Sequence, residues 1–311
     1  MSTILLTGGS GMVGQAIQRA NRDAKHEHRL IAPPRHELTL SDGDAVSRFI
    51  RERSVEIVIH CAAKVGGIAA NIEDPTGFLE ENLAINLGVV TGAHSAGITN
   101  LLFLGSSCMY PKDFGEVLSE DDLLAAPLEP TNEGYALAKI VGAKHCEYLS
   151  RQFGLAFRTI IPCNLYGPGD SFDDHSSHLV AACIKKVWNA NQHQVDEVGI
   201  WGDGTARREF LYVDDLARFI LDKCLDPAYL PQNLNLGFGR DYSVTDYYET
   251  ARELVGYSGA FRYDLERPVG MKKKLLDSTR AQEIGWNPGT TLRDGMAETL
   301  KWYTSDKSAL T

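Results

Sequence analysis

Apolar and polar positions along the chain fall into short blocks that repeat. Residues 3–7, Thr-Ile-Leu-Leu-Thr, are an apolar run with β-branched residues at both ends, which predicts a buried strand. A glycine-rich turn and a helix follow. The same unit then recurs, with strands predicted near 28–32, 56–60, 101–105 and 156–161 and helices at 41–54, 76–96 and 132–153. Asn132 stands where an N-cap of the last helix is expected. Strands alternating with helices predict a doubly wound parallel sheet, an α/β Rossmann-type fold, with ligands bound at the carboxyl ends of its strands. Beyond residue 165 the pattern loosens into a polar loop at 170–177, a helix at 178–189, two segments at 199–202 and 207–215, and a helix ending at Cys224. From about 234 to 311, short strands and helices alternate.

The first turn carries the earliest chemical signal. Gly8, Gly9, Ser10, Gly11, Met12, Val13 and Gly14 have the spacing G-x-x-G-x-x-G between a strand and a helix. Glycines there permit a tight turn, close approach of a pyrophosphate, and close packing of helix on strand. The phosphate then meets the helix N-terminus. Small Ala62 and Ala63 after the third strand leave room for the adenine side of a cofactor, and residues 64–71 read as a glycine-containing loop. After the second strand, an NAD-preferring site would place an acid for the ribose 2′-hydroxyl. No acid appears until Glu37. Arg35 stands there instead, suited to a 2′-phosphate, so the expected cofactor is NADP(H). The plainer alternative for Arg35 is a solvated surface arginine.

Composition narrows the class. The 311 residues are 43% hydrophobic and 23% charged, ordinary for a globular protein with a sizeable core. The net charge of −10 argues against nucleic acid as the main partner. Six cysteines are scattered without metal-ligand spacing and read as reduced thiols. A zinc reading of His175-x-x-His178 with Asp173 or Asp174 lacks nearby cysteine ligands, so no metal is expected. The first residues lack the basic start and apolar core of a signal peptide, and there is no apolar run of membrane-spanning length. The cytoplasm is the expected compartment.

Tyr135 and Lys139 lie four apart in the helix predicted at 132–153, hence on one face. A lysine cation beside a phenol favours the phenolate, which predicts a tyrosine pKa drawn toward neutrality and a proton donor or acceptor at working pH.

Together these motifs resemble the extended short-chain dehydrogenase/reductase family. The likeness spans nearly the whole chain. It rests on the glycine turn, Ser106 ahead of Tyr135-x-x-x-Lys139, Asn164-Leu-Tyr-Gly-Pro168, and Arg208-Glu-Phe-Leu-Tyr-Val-Asp-Asp215. Residues 62–68 with Asn71, 105–111 and 129–139 resemble the GDP-L-fucose synthase branch, which epimerises C3 and C5 of a GDP-4-keto-6-deoxy sugar and reduces C4. The resemblance implies a proton-donating Tyr135, tuned by Lys139, which also binds the nicotinamide ribose. Ser106 would hydrogen-bond the C4 carbonyl, with Ser107 the competing assignment. Cys108 and His178 match the acid/base pair for epimerisation.

The resemblance also implicates Leu104, Gly105, Pro162, Asn164, Leu165 and His178 around the cofactor. For the GDP-sugar it implicates Ser107, Asn164, Lys186, Trp201, Arg208 and Lys274. The expected division is a cofactor domain of 1–165 plus about 208–235, and a smaller α/β C-terminal substrate domain of about 166–207 and 236–311. The long helices at 76–96 and 132–153 are candidates for a homodimer interface, as in relatives.

Two departures stand out. Pro268-Val-Gly-Met271 replaces the branch's Pro-Asp-Gly-Thr, removing a carboxylate at Val269, and Ser10 stands where some members carry arginine. They leave open a 4-reductase of a related GDP-4-keto-6-deoxyheptose or dideoxy sugar. A nucleotide-sugar 4-epimerase or dehydratase with bound NAD is a further alternative, and a non-catalytic NADP-binding sensor another.

Overall fold

The computed structural model describes residues 2–23, 28–112, 114–174, 177–266 and 271–308. Its elements run β1 (Thr3–Thr7), α1 (Met12–Asp23), β2 (Arg29–Ile31), α2 (Gly43–Arg53), β3 (Ile57–His60), α3 (Ile68–Glu73), α4 (Pro75–Ser95) and β4 (Asn100–Leu104). Then come α5 (Glu133–Phe153), β5 (Ala156–Pro162), β6 (Asn164–Tyr166), α6 (Leu179–Gln192), β7 (Glu197–Trp201), β8 (Arg207–Tyr212) and α7 (Val213–Lys223). The rest comprises β9 (Asn233–Leu236), β10 (Asp241–Ser243), α8 (Val244–Val255), β11 (Ala260–Asp264), α9 (Thr279–Glu283) and α10 (Leu292–Ser308).

Six strands form one parallel sheet in the order β2-β1-β3-β4-β5-β9. This is the doubly wound sheet that the strand–helix alternation predicts. Its inner strands β1, β3 and β4 are buried on both sides, which is why they read as apolar runs rather than alternating ones. The chain leaves β1 for β2 on one side and returns to β3 on the other, so the winding reverses between β1 and β3. A crevice opens at such a switch point. On the sheet's faces, α2, α4 and α5 pack side by side while α1 packs with α7.

A second group holds the three-stranded sheet β10-β8-β6 and the pair β11-β7. Helices α6, α8 and α10 pack around them. Its core is aromatic: Tyr166, Phe210, Tyr212 and Tyr247 meet edge to face. Leu276, Ala281 and Trp286, late in the chain, pack instead into the large sheet's core.

Residues 64–71 differ from the loop expected there, because α3 begins at Ile68 behind Gly67. Asn71 supports that start by donating to the carbonyls of Gly66 and Gly67 at 2.9 and 3.0 Å. No helix of the described residues is long and apolar enough to cross a membrane.

Candidate active site

The glycine turn lies in the crevice at the switch point. Gly8 has φ +73°, and a Cβ on it would stand 2.7 Å from the Ala62 nitrogen. A Cβ on Gly14 would stand 2.2 Å from the Gly8 carbonyl oxygen. The turn is therefore closed against α1 and against the residues leaving β3, and only glycine fits at these two places. Gln15 donates to the Ser10 carbonyl at 2.7 Å and Gln18 to that of Gly9 at 2.7 Å, so α1 holds the turn that precedes it. A helix leaves its first amides without intrahelical acceptors, so those of Met12, Val13 and Gly14 suit a pyrophosphate. This cradle fits a dinucleotide. Arg35 is exposed in the turn after β2, just beyond Ala32, whose methyl faces Gly9.

A buried chain of hydrogen bonds links this crevice to α5. Asn86 donates from Nδ2 to the Ala138 carbonyl at 3.0 Å, so its Oδ1 is the acceptor for His60 Nε2 at 3.1 Å. His60 Nε2 therefore carries the proton and Nδ1 accepts from Thr7 Oγ1 at 2.7 Å. Thr7 Oγ1 in turn accepts from the Ala62 amide at 3.3 Å. Every donor in the chain points one way. Burial, with the Lys139 charge nearby, lowers the His60 pKa to about 3, which keeps the ring neutral. Asn82, one turn before Asn86 on α4, clamps the Lys64 backbone by accepting from its N–H at 2.8 Å and donating to its carbonyl at 3.0 Å.

Tyr135 and Lys139 stand on the inward face of α5. Lys139 is buried, with Nζ donating to the Leu104 carbonyl at 2.6 Å and lying 5.9 Å from the Tyr135 ring centre. Burial lowers its pKa to about 8. The tyrosine behaves otherwise than the pairing predicts. Burial and the neighbouring Cys108 push its phenol well above the ordinary value, and a hydrogen bond to Ser106 only partly offsets this. Desolvation outweighs attraction here because the ammonium's hydrogen bond goes to Leu104 and not to the phenol. Tyr135 is therefore held protonated. Phe78 packs edge-on against its ring at 6.5 Å.

Ser106 lies two residues beyond β4 and caps the short turn Ser107–Met109, accepting from the Cys108 amide at 3.2 Å. The same side chain reaches Tyr135, whereas Ser107 is buried. Asn132 holds the N-cap position of α5 but makes no side-chain cap bond, unlike the role its position predicts. Its Nδ2 donates to Cys108 Sγ at 3.2 Å instead. Lys274, lowered by burial, lies within electrostatic reach of Cys108 and Arg208. His178 immediately precedes α6, its Nδ1 buried without a hydrogen-bond partner. Burial lowers its pKa as well, favouring the neutral ring.

Residues 4–237 match the model of the NAD dependent epimerase/dehydratase family. The chain belongs to that family. It is 44% identical to the GDP-L-colitose synthase of Yersinia pseudotuberculosis, over 98% of this chain and 99% of that one. It is also 44% identical to the GDP-L-fucose synthase of Azorhizobium caulinodans, over 96% of each. Among solved structures it resembles a GDP-mannoheptose C4 reductase from Campylobacter jejuni with NADP bound, at 28% identity and TM-score 0.86, over 97% and 98% of the two chains.

In this member of the epimerase/dehydratase family, the remaining predicted residues fall into two places. Leu104, Gly105, Pro162, Asn164 and Leu165 lie at or just beyond the carboxyl ends of β4 and β5, alongside the crevice. Asn164 donates to the Glu209 carbonyl at 3.1 Å, tying β6 to β8. Lys186 and Trp201 meet in the second group, the ammonium 5.7 Å from the indole centre. Val269 and His175 lie outside the described residues.

Inspection of the chain alone misses His60, Asn86, Gln15, Gln18 and the partner of Asn132. Two signals were available. His60 is a polar residue closing an apolar strand, and Asn82 and Asn86 stand four apart, on one face of their helix.

Proposed function

We propose that this chain is an NADPH-dependent 3,5-epimerase and 4-reductase of a GDP-4-keto-6-deoxy sugar. The observation that carries the reading is the gathering of Ser106, Cys108, Tyr135 and Lys139 at one end of β4 and α5, beside the glycine turn. The relatives' names and their near-complete coverage support it.

The cradle of residues 8–14, with Arg35, Ala62, Ala63, Leu104, Gly105, Pro162, Asn164 and Leu165, holds NADP(H). When bound, NADPH supplies a hydride to C4. Tyr135, kept protonated by burial, gives its phenolic proton to the C4 oxygen, and Lys139 stabilises the phenolate left behind. Ser106 orients the C4 carbonyl by hydrogen bonding. For epimerisation, Cys108 and His178 act as base and acid on opposite faces of the ring. One removes the proton at C3 or C5 and the other returns one, while the C4 oxygen carries the enolate charge toward Ser106. Lys186, Trp201, Arg208 and Lys274, with Ser107, hold the GDP-sugar, cations meeting the diphosphate.

The division into a cofactor part (1–165 and about 208–235) and a substrate part belongs to the same proposal, except that β8 pairs within the second group and Leu276, Ala281 and Trp286 pack with the cofactor part. So does a homodimer joined through α4 and α5, whose outward residues Leu87, Leu137, Val141 and Tyr148 are exposed and apolar.

A second reading follows from the equal identity to the colitose and fucose synthases. A dideoxy sugar lacking the C3 hydroxyl would leave only C5 to invert. One experiment tests both halves of the first reading. GDP-4-keto-6-deoxymannose is incubated with enzyme in D₂O, first without and then with NADPH. Deuterium at C3 and C5, followed by reduction at C4, is expected. Exchange at neither carbon excludes the epimerase half, and no NADPH consumption excludes the reductase half.

A further inference from the structure

Asn132 occupies a position with a well-defined local job and does not do it. An N-cap asparagine normally accepts from a backbone amide of the first helical turn. Here φ −139° and ψ 25° take the backbone out of the usual extended cap geometry, and no side-chain cap bond forms. Nδ2 points instead at Cys108 Sγ, 3.2 Å away, and Oδ1 is buried without a partner. A cap forgone by the 21-residue helix that carries Tyr135 and Lys139 is exchanged for one contact with a thiol.

We infer that Asn132 is a positioning residue for Cys108, fixing the sulfur and stabilising its thiolate by donating a hydrogen bond. This rests on the acid/base reading of Cys108 given above. Whether the thiol gives a proton or the thiolate takes one, the sulfur carries negative charge on one side of the step. A donor held against it favours that form. The thiol also sits at the N-terminal end of α5, where the helix dipole favours an anion. Among the described residues, the charged or titratable groups acting on Cys108 include Tyr135 and Lys139 from α5 and Lys274 from the segment before α9. Asn132 adds a directed bond to that field. It also keeps the sulfur from rotating away from the sugar ring.

The test measures the thiol directly. Alkylation of Cys108 by iodoacetamide is followed against pH by peptide mass spectrometry, in the full-length protein without substrate. In Asn132→Leu the midpoint is expected to rise by about one pH unit, the equivalent of one hydrogen bond to a charged group. Asn132→Asp, similar in shape but placing a carboxylate beside the sulfur, is expected to rise further. In both, deuterium exchange into the sugar should fall about tenfold or more, while the NADPH dissociation constant stays at the wild-type value. A midpoint unchanged in both variants overturns the inference. Cys108→Ala separates the two levels. Full exchange in that variant sinks the acid/base reading, and the alkylation midpoints still decide the Asn132–Cys108 contact.

Discussion

Lys139 donates its ammonium proton to the carbonyl oxygen of Leu104 at 2.6 Å, joining the helix that carries Tyr135 to the end of the strand that leads into Ser106. The bond fixes α5 against β4 where their side chains converge. It also holds a cation in a site whose burial lowers its pKa to about 8.

That value sets a pH dependence. The protonated lysine is the working form, so it is present below about pH 8 and lost as pH rises through it. Reduction, followed as kcat/KM for NADPH oxidation, should fall on the alkaline side with a midpoint near 8. In Lys139→Met the rate should be low and lack that limb. An alkaline limb that survives the substitution would assign it to another group.

Tyr135→Phe removes the proton donor and leaves the thiol and imidazole in place. The reductive rate should drop by about 10²–10⁴-fold. Deuterium exchange should persist, because it needs no proton from the phenol. Equal loss of both activities would show that Tyr135 also supports the enolate.

His60 predicts a stability slope in acid. Its pKa falls from 6.5 when unfolded to about 3 when folded, so between these values the unfolded chain binds the extra proton. The stabilisation is complete above about pH 6.5 and is lost as pH falls toward 3, at up to about 1.4 kcal/mol per pH unit. Denaturant melts across that range should show the slope in the wild type. His60→Gln, less stable at pH 7, should have a slope smaller by up to one proton. An identical slope in both proteins would refute the assignment.

Gly14→Ala places a methyl 2.2 Å from the Gly8 carbonyl oxygen, where both partners are backbone and neither can swing aside. The turn must open. NADPH affinity, read by cofactor fluorescence, should weaken roughly tenfold or more, about 1.4 kcal/mol. Wild-type affinity would show that the cradle tolerates an open turn.

The exposed apolar face of α4 and α5 predicts the oligomer. Val141→Asp combined with Leu87→Lys should convert a dimer into a folded monomer in sedimentation. An unchanged sedimentation coefficient would move the interface elsewhere or remove it.

The parallel sheet and most of its helices were legible in the chain because strand and helix periods are local, a few residues at a time. The glycine spacing and the four-residue step from Tyr135 to Lys139 are local for the same reason. The start of α3 was missed because Gly66 and Gly67 hide a helix that Asn71 supports through its side chain.

The order of elements, the turn that must be glycine, and the side chains that share a helix face are therefore fixed locally along the chain. Tertiary structure decided the rest. It carried a hydrogen-bond chain from Ala62 through Thr7, His60 and Asn86 to Ala138, turned Asn132 from its cap to a cysteine 24 residues earlier, and raised the Tyr135 pKa where its spacing from Lys139 predicts a lowered one. The physical reason is common to all three. Hydrogen-bond direction and desolvation depend on which distant groups close around a side chain, and that is settled only when the strands and helices pack.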